Sequence, residues 1–219
     1  MQVLIAGAGG ALGAAVVDAF LKQGATVFGV DRTWQKPHAS GLRTISADLT
    51  TREGCALAVS QAEPVDVLVH LVGGFTGGQT IEATGEDVWE RMLNLNVRCA
   101  VEMFRAVLPG MKARKRGRIL AIGAKAGVEA APHVAAYGAS KAALIHLVRS
   151  LAAEGKDDGI SANTVLPSTI DTAANRAAMP NADYSAWVSP AAIASLLVWL
   201  ASEEAAAVSG ASIPIYAKA

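Results

Sequence analysis

The sequence predicts an α/β protein built on one doubly wound, parallel sheet. Three observations carry that prediction. Short apolar runs alternate along the whole chain with stretches whose apolar residues recur at helical spacing. The first run, residues 3–6, passes through a glycine cluster straight into a helical pattern, which is the order of a strand, a tight turn and a helix. Residues 66–71 (DVLVHL) are almost continuously apolar, as a strand buried on both faces of a parallel sheet requires. With 219 residues and neither an internal repeat nor a linker, the chain reads as a single domain, residues 1–219, large enough to bury a substantial core.

Composition removes several classes of function. Apolar residues make up 52% of the chain and the formal net charge is zero, so there is no basic surplus for nucleic acid and no charge excess for disorder. No stretch reaches the roughly 18 uncharged apolar residues of a membrane span, and the apolar start lacks the basic region of a signal peptide. Cys55 and Cys99 lie far apart without metal-ligand or CxxC spacing, which suits free buried thiols in a reducing compartment and predicts no metal site. The expectation is a soluble, cytoplasmic protein that takes a small-molecule substrate. Apolar helices at 100–108 and 142–153 could pair between copies of the chain, giving a homodimer or homotetramer.

Taken in order, residues 3–6 form a strand and residues 11–23 a helix. Between them the turn AGAGGALG places Gly7, Gly9, Gly10 and Gly13 where a backbone bends tightly and lets a ligand approach. Amides at the helix start then face an anion, and a dinucleotide pyrophosphate is the usual one. A strand at 26–30 ends at Asp31, whose carboxylate can accept hydrogen bonds from a ribose diol, and this favours NAD. Arg32 beside it can offset the repulsion of a 2′-phosphate, so NADP stays open; the plain alternative for Asp31 is a turn residue. Residues 42–46 form a third strand, Asp48 can border an adenine pocket, and Thr50 with Glu53 predicts a capping box.

The strand at 66–71 contains His70, read as a core histidine. The following GGFTGG, residues 73–78, is either mobile or closely approached by a flat ligand, with Phe75 as a stacking surface. Thr84 and Asp87 predict a second capping box, opening a helix that runs to about Leu108 before Pro109-Gly110 stops it. Asn94 and Asn96 lie inside that helix. An asparagine facing the sheet there implies a polar task such as holding a water. The basic run at 112–118 reads as a solvated loop. Further strands follow at 118–122 and 161–166, the latter closed by Pro167. Residues 168–188 show no strong period, as a lid would. Ser189-Pro190 starts a helix to about Ala201, and residues 211–216 offer the last strand.

Tyr137 and Lys141 stand four residues apart on a predicted helix, and so on one face. A lysine cation there would lower the phenol's pKa and let it exchange protons. The plain alternative is an amphipathic helix with a core-capping tyrosine and a solvated lysine.

The glycine turn, Asp31, DVLVHLVGG, Asn96, Tyr137-x-x-x-Lys141 and residues 167–172 fall in an order and spacing that resembles the short-chain dehydrogenase/reductase family over essentially the whole chain. The resemblance implies a Rossmann-type fold around a nicotinamide dinucleotide. It implies Tyr137 as proton donor or acceptor, Lys141 bridging the nicotinamide ribose and that tyrosine, and Asn96 helping to hold a relay water. Cofactor contacts would come from Gly7, Gly10, Ala11, Leu12, Gly13, Asp31, Arg32, Asp48, Leu49, Val72, Gly73, Gly74, Lys141, Pro167, Thr169 and Thr172. The chain departs from the family pattern at Ala11, at His70-Leu71-Val72-Gly73 in place of NNAG, and at Ser168 after the proline. More consequential, Ala124 replaces the serine expected about 13 residues before the tyrosine. That serine hydrogen-bonds a substrate carbonyl, and losing such a donor costs a ketone on the order of a hundredfold or more.

Within the family the chain is similar to dihydropteridine reductases, through GGALG at 9–13, GGFTGG, GAKAG and VLPSTIDTAANRAAMPNADYSAW at 165–187. This implies transfer of a hydride from NADH to a quinonoid dihydropterin or similar conjugated acceptor, with Tyr137 as proton donor. Such an acceptor needs no serine clamp, which makes Ala124 intelligible. Phe75 and Trp187 would then wall a flat ring, unless they serve ordinary packing. Two other readings stand beside it: a reductase or dehydrogenase of ketones or alcohols, and a non-catalytic dinucleotide-binding sensor.

Overall fold

Val3, Leu4, Ile5 and Ala6 have no exposed surface, which only a strand in the middle of a covered sheet achieves. The computed structural model describes residues 1–34 and 39–218 and places them there. Its strands are β1 (Gln2–Ala6), β2 (Thr26–Asp31), β3 (Leu42–Ser46), β4 (Val67–His70), β5 (Gly117–Ile122), β6 (Ile160–Pro167) and β7 (Ser212–Ile215). All pair in parallel, in the order β3-β2-β1-β4-β5-β6-β7. The order reverses between β1 and β4, the switch point at whose carboxyl ends ligands bind in such sheets.

The helices are α1 (Ala11–Lys22), α2 (Arg52–Ala62), α3 (Glu86–Leu93), α4 (Cys99–Ala113), α5 (Ala135–Gly155), α6 (Ala173–Ala178) and α7 (Pro190–Ala201). Side chains alternate across β1. Leu4 and Ala6 face a core shared with α2, α4 and α5, while Val3 and Ile5 face one shared with α1 and α7. Cys55 and Cys99 are buried free thiols, and Cys55 belongs to the first core. Among the described residues no helix is long and apolar enough to cross a membrane.

Four local expectations are corrected. The cap of α2 is Thr51, whose hydroxyl accepts from Gly54 N at 3.1 Å, because Thr50 is already taken by the Asp48 carboxylate. Helix α3 starts from Gly85 without a side-chain cap, since Thr84 Oγ1 donates back to the Thr80 carbonyl at 2.7 Å. Pro109 does not end α4. The helix runs on to Ala113 because its last turn is anchored by the fully buried Met111 and followed by Arg114, which donates to the Val65 carbonyl at 2.7 Å. Nor is the stretch before it one regular helix: Asn94–Arg98 forms a π-helical turn between α3 and α4.

Candidate active site

The turn between β1 and α1 is shaped by two glycines. Gly7 has φ +86°, and a Cβ on Gly13 would fall 2.6 Å from the Gly7 carbonyl oxygen. Helix α1 begins at Gly10 with no side-chain cap, and Gly9, Gly10 and Ala11 are exposed. First-turn amides left open in this way suit an anion. Leu12 is half-buried behind them. Asp31 ends β2 within reach of the turn: its carboxylate accepts from Gly9 N at 3.0 Å and from Arg32 N at 2.7 Å, while the Arg32 side chain is exposed. Asp48 accepts from the Thr50 hydroxyl at 2.7 Å, which with the Thr50 amide holds its carboxyl below the usual range. Leu49 is buried in the core beneath it. An open helix terminus, a turn too tight for side chains and a neighbouring acid fit a dinucleotide.

At the carboxyl ends of β4 and β5 the structure brings Gly73, Asn96, Tyr137 and Lys141 together. A Cβ on Gly73 would lie 2.7 Å from Asn96 Oδ1 and 3.1 Å from Lys141 Nζ. Asn96, fully buried in the π turn, accepts from Gly74 N at 2.9 Å and donates to the Gly74 carbonyl at 3.0 Å and Ser140 Oγ at 2.9 Å. Ser140 in turn donates to the Tyr137 carbonyl at 2.7 Å. The Asn96 side chain is therefore a strut between the β4 loop and α5. Ser140 was missed; its only signal in the sequence is its place next to Lys141.

Lys141 is 5% exposed and donates to the Ile122 carbonyl at 2.8 Å. Burial pulls its ammonium down to about 8. Burial also pushes the Tyr137 phenol up to about 12, opposite to the lowering expected from the four-residue spacing. Desolvation by burial alone accounts for the shift, and the Lys141 ammonium makes its hydrogen bond to the Ile122 carbonyl instead. His70 is 1% exposed, packs edge-on to Phe104 at 5.8 Å, and neither ring nitrogen has a partner among the described residues. Burial first, then the Lys141 charge, lowers it to about 3, so it is a neutral core imidazole.

Ala124 is 6% exposed, between β5 and a 3-10 turn (Lys125–Gly127) that packs on α5. A Cβ on Gly138 would touch the Ala126 carbonyl at 2.8 Å, which places the turn beside Tyr137. Phe75 meets the Tyr137 ring edge-on, with centroids 4.9 Å apart. Val72 is half-buried against the core. After Pro167, which ends β6, Thr169 and Val188 close the base of the 168–188 segment through Val188 N to the Thr169 carbonyl at 2.9 Å. Inside it Thr172 caps α6, and Trp187 packs on Tyr184 at 4.8 Å. Arg176 forms two hydrogen bonds to Asp171, at 2.6 and 2.8 Å. The segment is more structured than its lack of period suggested.

A separate groove of about 590 Å³, lined by Leu93, Val97, Val101 and charged neighbours of α3 and α4, contains none of these residues.

A dinucleotide cradle at one end of the switch point and, at the other, a half-buried tyrosine one helical turn before a buried lysine fit a nicotinamide-dependent oxidoreductase. A family model described as short chain dehydrogenase matches residues 1–183. The rat protein named dehydrogenase/reductase SDR family member 6 is 33% identical over 232 residues, covering 97% of this chain and 94% of its own. A solved oxidoreductase of the short chain dehydrogenase/reductase family from Burkholderia thailandensis superposes with a TM-score of 0.87 at 33% identity, covering 97% of this chain and 90% of that one. ElxO with NADP bound shares the fold, with a TM-score of 0.90 at 23% identity over 98% of this chain and 97% of its own. The chain belongs to the short-chain dehydrogenase family, whose members are NAD(P)(H)-dependent oxidoreductases.

Proposed function

We propose that this oxidoreductase reduces a flat, conjugated acceptor of the quinonoid dihydropterin type, using NADH in preference to NADPH. The observation that carries the reading is Ala124, a buried methyl group where a carbonyl-polarising hydroxyl would be needed for a ketone. The open amides of α1 would take the pyrophosphate and Asp31 the adenosine ribose, with Lys141 on the nicotinamide ribose. The bound cofactor would supply the hydride. Tyr137, held up to about 12, stays protonated at neutral pH and is the proton donor. Phe75, and Trp187 on the 168–188 lid, would flank the acceptor ring.

The relatives named dehydrogenases favour the second reading, reduction of ketones or oxidation of alcohols. Following NADH and NADPH oxidation with quinonoid dihydropterin, quinones and a panel of ketones separates the two. Ala124→Ser should leave turnover of the conjugated acceptor within a few-fold. Ketone turnover by the unmodified enzyme at a rate matching the conjugated acceptor would overturn the proposal. Family membership removes the non-catalytic sensor. The two buried free thiols support a cytoplasmic location. We further propose a homodimer or homotetramer through the exposed faces of α4 and α5; elution as a monomer in gel filtration would remove it.

A further inference from the structure

The loop after β4, GGFTGG, holds four glycines, a composition that gives a backbone wide freedom. Yet three alternate residues of it are tied down. Gly74 is bound through both its amide and its carbonyl by the Asn96 side chain, at 2.9 and 3.0 Å. Thr76 Oγ1 accepts from Arg91 Nη2 at 2.9 Å and donates to the Phe75 carbonyl at 2.9 Å. Gly78 N donates to the His133 carbonyl at 2.8 Å. In extended backbone, successive residues face opposite ways and alternate ones the same way. Gly77 is pressed against its neighbours, so that a Cβ on it would meet Val134 at 2.9 Å and the His133 carbonyl at 3.0 Å. The space left between this loop and residues 133–136 is about 10 Å³, room for one water at most. Phe75 remains 68% exposed while its ring is seated on Tyr137 at 4.9 Å.

A large aromatic ring that is bare on one side and fixed on the other is a wall awaiting a flat partner. Among the described residues, the side-chain hydrogen bond that reaches the middle of this loop from outside it comes from Arg91 on α3. We propose that Arg91 is a positioning residue: through Thr76 it holds Phe75 against Tyr137, and this fixed wall makes the site discriminate in favour of planar acceptors. The discrimination rests on the reading of Ala124 given above. The pinning of the loop stands apart from it.

The test uses the full chain as Arg91→Ala, Arg91→Lys and Phe75→Leu. Hydrogen–deuterium exchange over residues 73–78 should rise in Arg91→Ala and fall back in Arg91→Lys, because a lysine restores a donor to Thr76. In the steady state, Arg91→Ala and Phe75→Leu should each raise KM for a planar quinonoid acceptor about tenfold, the scale of one charged hydrogen bond or one aromatic contact. In Arg91→Ala, turnover at saturation and KM for NADH should stay within about twofold, and KM for a non-planar carbonyl acceptor should be unchanged. Unchanged exchange in Arg91→Ala overturns the positioning role. Faster exchange with an unchanged ratio of planar to non-planar KM overturns the discrimination. If the unmodified enzyme reduces no planar acceptor while exchange behaves as expected, the Ala124 reading and the discrimination fail and the pinning holds.

Discussion

Replacing Lys141 with methionine should abolish turnover and stabilise the ligand-free protein at neutral pH. Lys141 is 5% exposed, and burial lowers its pKa from 10.5 to about 8. Each unit is worth about 1.4 kcal/mol, so keeping this ammonium charged in the fold costs on the order of 3 kcal/mol at pH 7. Methionine removes that cost but leaves the Ile122 carbonyl without its donor, a loss of about 1–2 kcal/mol. The net expectation is a gain of about 1–2 kcal/mol, measured by urea denaturation without dinucleotide. The folded pKa lies below the unfolded one, so the penalty is complete below about pH 8 and fades as pH rises towards 10.5. The unmodified chain should therefore gain about 2 kcal/mol relative to Lys141→Met between pH 7 and 9.5. Cys55, Cys99 and Tyr137 also have raised pKa values, but they titrate alike in both chains and cancel in the difference. A variant less stable than the parent at pH 7, with a gap that stays constant to pH 9.5, would refute the reasoning.

Tyr137→Phe should lower turnover by on the order of a hundredfold or more while dinucleotide affinity, read by calorimetry, is retained. Full activity in that variant would end the assignment of Tyr137 as the acid. Asp31→Ser should lower the ratio of kcat/KM for NADH over NADPH by about tenfold, because the carboxylate that repels a 2′-phosphate is gone while Arg32 stays; an unchanged ratio would place the preference elsewhere. His70 has a folded pKa near 3 against 6.5 unfolded, so its contribution is complete above 6.5 and is lost as pH falls through that window. His70→Leu should consequently lose about 2–3 kcal/mol less than the parent between pH 6.5 and 4.5 in urea titrations; parallel acid limbs would contradict this.

The layered architecture was legible because it rests on local patterns. Strand β3 and helix α7 begin and end where alternation, Ser189 and Pro190 predict. What escaped the sequence depends on contacts between distant residues. The Thr50 hydroxyl could cap α2 in isolation, but Asp48 takes it first. Pro109 would stop a helix whose next turn had nothing to hold, yet Met111 and Arg114 both reach buried partners. The order of the motifs suggested which residues meet at the site. Their electrostatics was not readable, since four-residue spacing records the nearness of Lys141 to Tyr137 and says nothing of the burial that reverses the phenol's shift. The link from Arg91 to Thr76 spans 15 positions between an exposed helix and a glycine loop, and no periodicity marks it.

The polar groups around Tyr137 are largely spent on holding one another. Asn96 is committed to Gly74 and Ser140, Ser140 to the Tyr137 carbonyl, and Lys141 to the Ile122 carbonyl. On the proposed reading, the groups that would meet a substrate are the Tyr137 phenol, the methyl group of Ala124 and the open face of Phe75. A site offering one weak acid beside apolar groups would do little to polarise a carbonyl before hydride arrives, and polarisation of that kind is what lowers the barrier for an isolated ketone. It can, however, align a planar ring and return a proton once the ring has accepted the hydride. Reactivity must then be stored in the acceptor's own conjugation. That division of labour, more than the Tyr137–Lys141 spacing itself, is what the proposal of an electron-poor flat substrate rests on.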